Sequence, residues 1–444
     1  MIRFIRNLYL TNTFFIGLGI ITGLFALGFA IPIMFPIAKA VLTLFVVLTL
    51  ADIVLTFNPN FLVECERKLP KMFSLGDENR VELIIDSSFG IPLKLEVIDE
   101  LPVQFQERNF SQKIKLKAME KRKLVYMLRP VERGEYHFNN VNLYSSSPIG
   151  LIQRRHNKKL SQMVPVYPSI IQMKKFGLIA MSKAASFQGV KKLRRLGHSY
   201  EFEQIKNYVK GDDYRSVNWK ATGRRNQIMV NQYEDQRAQQ VYTVIDKSRN
   251  MHMPFDGMSL FDYAVNAGLA ISNVSLLKHD KAGLITFSDK VGASIKADRS
   301  QNQLRKIINT LYNEKARNLE SNFELLYRST RNIIKGRSLV FLYTNFESSF
   351  ALERVLPILR KINTFHLLVV ILFDNTEIKD FSVEKATDLE GIYNQTLAQQ
   401  YVSDKQQMVH KLRQHKIQTI LTNPEDLTVN TINKYLELKS RGLI

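Results

Sequence analysis

An uncharged N-terminal stretch restricts the folds open to this chain more than any other feature of its sequence. No charged residue lies between Arg6 and Lys39, and about 20 consecutive apolar residues are enough for a helix to cross a bilayer. Prolines interrupt the stretch, and a second apolar run follows from Ile37 to Phe57. A signal peptide would have an apolar region of only about 7 to 15 residues, followed by a cleavage site of small residues. The sequence therefore predicts two transmembrane helices that form a tight hairpin within residues 1–58.

The charges around the hairpin predict its orientation. Both ends of a two-helix hairpin face the same side of the membrane, and Arg3 and Arg6 place that side in the cytoplasm by the positive-inside rule. The single cysteine, Cys65, agrees with a reducing compartment. Lys39 and Asp52 lie near the ends of the second helix, where their side chains can reach the interface. We therefore expect a multi-pass protein of the inner (cytoplasmic) membrane whose soluble domains lie in the cytoplasm.

The pattern of apolar residues changes twice after the hairpin. In residues 59–168, short apolar runs such as RVELIIDSS and IPLKLEVIDE alternate with period two, which is typical of strands in an immunoglobulin-like β-sandwich. In residues 237–444, apolar runs of strand length such as QQVYTVID and HLLVVILFD alternate with helical patterns. This alternation predicts a doubly wound α/β domain with a mainly parallel sheet. Residues 169–236 then form a basic connector between the two domains.

The net charge of +21 predicts an acidic partner. The strongest basic patch of the connector comprises Lys191, Lys192, Arg194 and Arg195. Such a patch can contact nucleic-acid phosphates, but no recognised nucleic-acid motif accompanies it, so we do not expect a nucleic-acid partner. Anionic lipids of the cytoplasmic leaflet, which attract each basic residue by roughly 1 kcal/mol, are a simpler partner. A solvated basic surface without a partner is the remaining alternative.

Polar side chains follow the strands of the α/β domain, and ligand sites of doubly wound folds lie at these carboxyl ends. The first strand runs into Asp246, Ser248 and Asn250, the fourth ends near Asn345, and Ser321 precedes a helix. Carboxylate, hydroxyl and amide oxygens that point into one crevice suit a hard cation such as Mg²⁺.

These strand-end residues resemble the metal-ion-dependent adhesion site of von Willebrand factor A-type domains. That family has Asp-x-Ser-x-Ser in the first loop, Thr in the second and Asp in the third. The matching positions here are Asp246, Ser248, Asn250, Ser321 and Asn345. Only one carboxylate remains, and fewer charged ligands imply weaker metal binding. The resemblance therefore implies a degenerate site in which Mg²⁺ is a doubtful ligand, or in which Asp246 only caps a helix or bonds to loop amides.

A second resemblance covers nearly the whole chain and rests on the stretch YVKGDDYRSVNWKATGRRNQIMVNQYEDQ. Two N-terminal membrane helices, a β-rich segment and this stretch are similar to the bacterial family called "domain of unknown function 58". The signature residues here are Gly211, Asp212, Asp213, Arg215, Asn218, Trp219, Lys220, Arg224, Tyr233 and Glu234. The resemblance implies a membrane-anchored protein with a von Willebrand A-like domain. It also implies a partner among MoxR-type AAA+ ATPases, in assemblies proposed to help mature or insert other proteins.

The signature stretch combines acids, cations and the only tryptophan of the chain. Asp212 and Asp213 can pair with Arg215, Lys220 or the pair Arg224–Arg225, and Trp219 can fill a hydrophobic slot between domains. These features predict a structural clasp whose stability falls in Trp219→Ala; a partner site is the alternative.

The motifs of common enzymes do not occur in this sequence. The eight histidines are scattered, and no Gly-x-Ser-x-Gly, His-Glu-x-x-His or Walker-type loop is found. We therefore expect a scaffold or adaptor without enzymatic activity, which binds a protein at the crevice around Asp246, with Lys247 and Arg249 attracting an acidic partner. Lipid or nucleic-acid binding by the connector and a metal-dependent enzyme are the alternative functions.

Overall fold

The computed structural model describes residues 6–58, 62–107, 110–186, 201–209, 212, 214–225, 227–234, 238–384 and 388–443. Of residues 181–186, 201–204 and 232–234 only the backbone is described. The chain divides into two compact units, Met1–Tyr167 and Pro168–Ile444. The finer division into four parts stays a prediction. The basic patch of the connector, Gly211 and Asp213 lie outside the described residues.

The first unit begins with two apolar helices, as predicted. Helix α1 spans Asn12–Ala30 and α2 spans Met34–Thr56, with mean hydropathies of 2.0 and 2.2. Most of their side chains are exposed, including Phe15, Ile20 and Val54. Helices satisfy their own backbone hydrogen bonds, so an exposed apolar surface of this length suits the interior of a membrane.

The remainder of the first unit is β-rich, as its period-two pattern predicts. Antiparallel sheets of order β1-β10-β9-β5-β6 and β2-β4-β7 are accompanied by a third sheet, β3-β11-β8, in which β3 and β11 are parallel. The immunoglobulin-like arrangement stays a prediction. The strands are β1 Leu8–Leu10, β2 Val63–Lys68, β3 Phe73–Ser74, β4 Asn79–Ser87, β5 Leu93–Asp99, β6 Ser111–Leu116, β7 Lys121–Leu128, β8 Gly134–Phe138, β9 Val141–Ser146, β10 Ile152–Lys158 and β11 Gln162–Tyr167.

A buried polar network lies inside this β-rich part. The guanidinium of Arg67 pairs with the carboxylate of Asp99 and donates to the carbonyl of Leu160 at 2.8 Å. The hydroxyl of Tyr126 donates to the same carboxylate. Burial raises the pKa of Asp99, and the charge of Arg67 opposes that shift. Burial also raises the pKa of the Cys65 thiol to about 12, so this cysteine stays protonated and unreactive at neutral pH.

The hairpin is joined to the β-rich part by specific hydrogen bonds. Strand β1 pairs with β10 just before α1 begins. Asp52, which the sequence placed where its side chain reaches the membrane interface, is fully buried instead. Its carboxylate accepts from the Ser147 hydroxyl and from the backbone N–H groups of Leu151 and Ile152, at 2.8 and 2.9 Å. The interface prediction for Asp52 was therefore wrong, because a folded partner supplies the donors that water would otherwise supply.

The second unit contains the predicted doubly wound sheet. Its six strands have the order β18-β17-β14-β19-β20-β21, with parallel neighbours except for the antiparallel edge strand β18. The strands are β14 Gln240–Asp246, β17 Lys281–Phe287, β18 Val291–Asp298, β19 Leu339–Tyr343, β20 Leu367–Phe373 and β21 Gln418–Thr422; a small hairpin is formed by β15 Pro254–Phe255 and β16 Met258–Ser259.

Helices cover both faces of this sheet. One apolar core includes residues of α3 (Ile170–Ser186), α5 (Leu260–Leu277), α6 (Gln303–Asn313) and α11 (Leu427–Ser440). The other includes residues of α7 (Phe323–Ile333), α8 (Ser349–Phe365) and α10 (Leu389–Gln414), and α9 (Thr376–Val383) packs beside α10. Helix α5 is long and apolar enough to cross a membrane, but 72% of its apolar window is buried in the core.

Residues 201–234, which we call the signature module, contain regular structure that the sequence did not predict. Strands β12 (Glu201–Asn207) and β13 (Met229–Glu234) form an antiparallel hairpin. The short helix α4 (Trp219–Arg225) and a 3₁₀ turn at Tyr214–Ser216 lie in the connection between them.

Candidate functional site

The predicted crevice lies at the carboxyl edge of the central strands. Strand β14 is flanked by β17 and β19, so the loops that follow these strands meet around Asp246. Asp246 is only 1% exposed. The carboxylate of Asp246 therefore lies at the buried floor of the crevice. Our expectation that the crevice accepts an acidic side chain of a partner, which would complete the coordination of an ion, stays a prediction.

Hydroxyl groups surround the carboxylate of Asp246. Ser321 Oγ lies 2.7 Å from both of its oxygens, and Thr344 Oγ1 donates to one of them at 2.7 Å. The backbone N–H of Ser248 donates at 2.9 Å. Burial raises the pKa of Asp246, and these hydrogen bonds lower it. No cationic side chain of the described residues forms an ion pair with this carboxylate.

Two further oxygens at the site lack hydrogen bonds. The hydroxyl of Ser248 faces the carboxylate of Asp246, but its geometry makes no hydrogen bond with any described residue. The amide oxygen of Asn250 is also buried without a described partner. Buried polar atoms are nearly always satisfied, so such oxygens beside an unpaired carboxylate call for an explanation.

The third loop does not contribute as predicted. The amide oxygen of Asn345 accepts from the ammonium of Lys405 at 2.5 Å, and the same ammonium donates to the carbonyl of Phe346 at 2.9 Å. Asn345 is thus committed to an internal cation, and its assignment as a metal ligand was wrong. Thr344, the residue before Asn345, donates to the carboxylate of Asp246 instead.

The sequence indicates a buried position for Lys405, which we did not predict as a site residue. It lies on the buried face of α10, at helical spacing from Ala398, Val409 and Leu412. A lysine on an apolar helix face must find internal acceptors, since an unpaired buried ammonium is costly. Burial lowers the pKa of Lys405 to about 8.

The donors at the site fit a hard cation in atom type. Asp246, Ser248, Asn250 and Ser321 all present oxygens, as Mg²⁺ requires, and a divalent cation would neutralise the buried carboxylate. The set carries one negative charge, which predicts weak affinity. Across the described ranges, no group of three or more His, Cys, Asp or Glu side chains offers an alternative metal site.

Charged side chains line the rim above this floor. Arg249 lies 3.5 Å from both Glu320 and Glu347, and Arg354 lies 3.8 Å from Glu320. Lys247 was expected to attract a partner, but it is buried and pairs with Glu314 at 2.7 Å. That expectation was wrong, and Arg249 remains as the exposed cation of this loop.

The predicted clasp takes a different form in the structure. Asp212 pairs with Lys206 at 2.9 Å rather than with the cations that follow it. Asn218 caps α4 through the backbone N–H of Ala221 at 3.0 Å. Trp219 is 75% exposed, so the described residues form no slot around it. The expected loss of stability in Trp219→Ala therefore has no packing contact to support it.

The other signature residues are partly described. Arg215 lies over the ring of Tyr214 at 5.7 Å. Tyr233 and Glu234 end strand β13, where only the backbone is described. Lys220 and Arg224 are exposed on α4.

Comparisons with known proteins found partial similarities. A protein of Bacillus subtilis (strain 168) described as "Uncharacterized protein YeaD" is 27% identical over 122 residues, which span 28% of this chain and 30% of that protein. The solved CARDB domain of the PF1109 protein from Pyrococcus furiosus is 17% identical and covers 25% of this chain and 91% of its own, with a TM-score of 0.20. The SpRpn10 VWA domain is 9% identical and covers 43% of this chain and 93% of its own, with a TM-score of 0.27.

The family comparison matches a single stretch that begins inside the signature module and ends with helix α9. Residues 204–383 match the family described as "Protein of unknown function DUF58". Over these residues, the chain is similar to the DUF58 family.

Proposed function

We propose that the protein is a membrane-anchored scaffold whose α/β unit binds a protein partner, without a reaction of its own. The partner class that fits this proposal is a MoxR-type AAA+ ATPase acting in protein maturation or assembly. In this proposal α1 and α2 both cross the membrane, and Arg3 and Arg6 hold the soluble parts in the cytoplasm.

The observation that carries the proposal is the charged rim at the carboxyl edge of the sheet. The ion pairs of Arg249 with Glu320 and Glu347 are long, at 3.5 Å, and exposed. Exposed pairs of this kind contribute little to folding, so their charges can be exchanged for those of a partner. Complementary charges at an interface steer association and set specificity.

A divalent cation is a second component that the site supports. Asp246, Ser248 and Asn250 would hold it, and it would supply positive charge beneath the rim. Its support is the buried carboxylate without a described cationic partner, beside oxygens that lack hydrogen bonds.

Charge reversal at the rim tests the proposal. The full-length chain, extracted in detergent, is used for affinity capture and mass spectrometry as wild type, Arg249→Glu and Arg441→Glu. Arg441 is a matched control, because it is similarly exposed (65% against 53%) and also pairs with a glutamate. We expect an AAA+ ATPase with the wild type and Arg441→Glu, and at least a tenfold loss with Arg249→Glu. Equal recovery with both variants, or no stable partner of the wild type, contradicts the proposal.

A further inference from the structure

The signature module exposes large apolar side chains. Tyr214, Trp219 and Val209 are exposed by 72, 75 and 62%. Ile228 is exposed by 51%, and its carbonyl accepts from the backbone N–H of Tyr208 at 2.8 Å, which places it beside the segment that carries Val209. Exposed apolar groups collected in one small module mark an interaction surface rather than ordinary surface variation.

Cations lie among these apolar groups. Lys220, Arg224 and Arg225 are exposed on α4, as Trp219 is. Helix α4 contacts the hairpin through Thr222, whose Oγ1 accepts from the backbone N–H of Met229 at 3.0 Å. Within the described part of the module, no carboxylate pairs with these three cations, since Asp212 is bound to Lys206.

We propose that the signature module docks on an anionic lipid bilayer, the one in which α1 and α2 lie. Tryptophan and tyrosine favour the boundary between water and lipid, because their rings have an apolar body and a polar group. Lysine and arginine are attracted to anionic headgroups. Exposed apolar residues together with cations are the composition of surfaces that lie in this boundary.

The composition favours a bilayer over other acidic partners. Phosphates of a nucleic acid would pair with Lys220 and Arg224, but they offer no apolar environment to Val209 and Ile228. A bilayer offers both. It is also tethered to every copy of the chain by the hairpin, and tethering raises the effective concentration of the second contact.

The attraction between the three cations and an anionic lipid surface is large enough to measure. Each cation near an anionic surface contributes roughly fivefold to the docked population, so three contribute roughly a hundredfold. The attraction between the cations and the surface decays over about 10 Å at 0.1 M salt and about 3 Å at 1 M salt. Docking is therefore expected to require anionic lipid and to weaken as salt rises.

Trp219 is the only tryptophan of the chain, so intrinsic tryptophan fluorescence reports on this surface alone. The full-length protein is reconstituted into liposomes of zwitterionic lipid or of the same lipid with phosphatidylglycerol, with and without brominated acyl chains. We expect a blue-shifted emission that brominated lipid quenches in the anionic liposomes, and the emission of an exposed tryptophan in the zwitterionic ones. High salt should reverse the shift.

Variants separate charge from folding. The triple variant Lys220→Gln, Arg224→Gln, Arg225→Gln should lose the shift, whereas Lys220→Arg, Arg224→Lys, Arg225→Lys should keep it. The matched control Arg299→Gln, Arg305→Gln, Lys306→Gln removes three exposed cations elsewhere in the same unit and should also keep it.

Three results overturn the inference: no shift in anionic liposomes, equal loss in the control variant, or a shift that requires added RNA or a protein partner. The inference uses the membrane anchoring of the proposed function but not its protein partner. Flotation of the protein with the liposomes reports the anchoring separately, so failure of docking and failure of anchoring are distinguishable.

Discussion

Asp246 combines burial with a negative charge that no cation among the described side chains neutralises. Its oxygens accept only from hydroxyl and backbone N–H groups, and burial raises its pKa. A bound divalent cation would remove the cost of this charge and engage the oxygens of Ser248 and Asn250. The burial of the charged Asp246 therefore predicts that binding of a divalent cation stabilises the folded protein.

We predict that millimolar Mg²⁺ raises the melting temperature of the wild type but not that of Asp246→Asn. A ligand at ten times its Kd stabilises the folded state by about 1.4 kcal/mol. Without metal, Asp246→Asn should melt no lower than the wild type, because it removes a buried charge and keeps the shape of the side chain. A thermal melt of the full chain in detergent, with and without Mg²⁺, measures both effects. Equal responses of the two proteins to Mg²⁺, or none in the wild type, would count against this site.

The lowered pKa of Lys405 predicts that the stability of the protein changes with pH in the alkaline range. Burial lowers its pKa in the folded state to about 8, below its ordinary value of 10.5. The folded state thus binds its proton less tightly than the unfolded state. Above pH 10.5 the side chain of Lys405 is neutral in both states, so the folded state has no cost of burying its charge. This advantage is lost as the pH falls through 8, where Lys405 becomes charged in the folded state.

The free energy of unfolding of the wild type should therefore rise between pH 8 and 10.5, relative to Lys405→Met, by up to about 3 kcal/mol. Denaturant unfolding at several pH values, with Lys405→Met as the reference, isolates this term from the other titrating groups. Parallel pH profiles of the two proteins would show that Lys405 does not titrate in this window.

At the scale of elements, the hairpin and the β-rich part form one joined structure. The carboxylate of Asp52, in α2, satisfies the backbone N–H groups of Leu151 and Ile152 at the start of β10. Each unsatisfied buried donor costs about 1–3 kcal/mol.

We predict that Asp52→Ala lowers the stability of the first unit by about 2–5 kcal/mol and opens the turn before β10 to protease. Limited proteolysis of the full chain in detergent, with mass-spectrometric mapping of the cuts, measures this. Lys39→Ala, an exposed change near the other end of the same helix, should behave as the wild type. A proteolysis pattern unchanged by Asp52→Ala would refute the junction.

Helices and strands whose apolar residues recur at a regular spacing were predictable from the sequence, and those without such a spacing were not. Strand β14 and helix α7 have a continuous apolar run and an amphipathic face respectively, so local sequence defines them. Strand β1 has three residues and forms by pairing with β10, far along the chain. The hairpin β12–β13 and the short helix α4 lie in a polar stretch. Its many charged residues leave no clear alternation of apolar and polar residues. Such elements depend on contacts that no local pattern contains.

At the scale of the whole molecule, the order of parts was predictable because each part has its own period and composition. The site was predictable in position and only partly in detail. The rule that ligands lie at the carboxyl ends of strands placed Asp246, Ser248 and Ser321 together. The sequence did not indicate the bond from Lys405 to Asn345, because 60 residues separate them.

Crosslinking in native membranes tests the scaffold most directly, because each chain carries its own control lysines. Lys290 and Lys315 are exposed at the carboxyl edge of the sheet, whereas Lys335 and Lys416 are exposed before β19 and β21, at the amino edge. Crosslinking mass spectrometry should find crosslinks to an AAA+ ATPase at Lys290 and Lys315 and few at Lys335 and Lys416. Crosslinks to a partner that concentrate at the amino edge, or none to any protein, would contradict a scaffold that binds through the rim around Arg249.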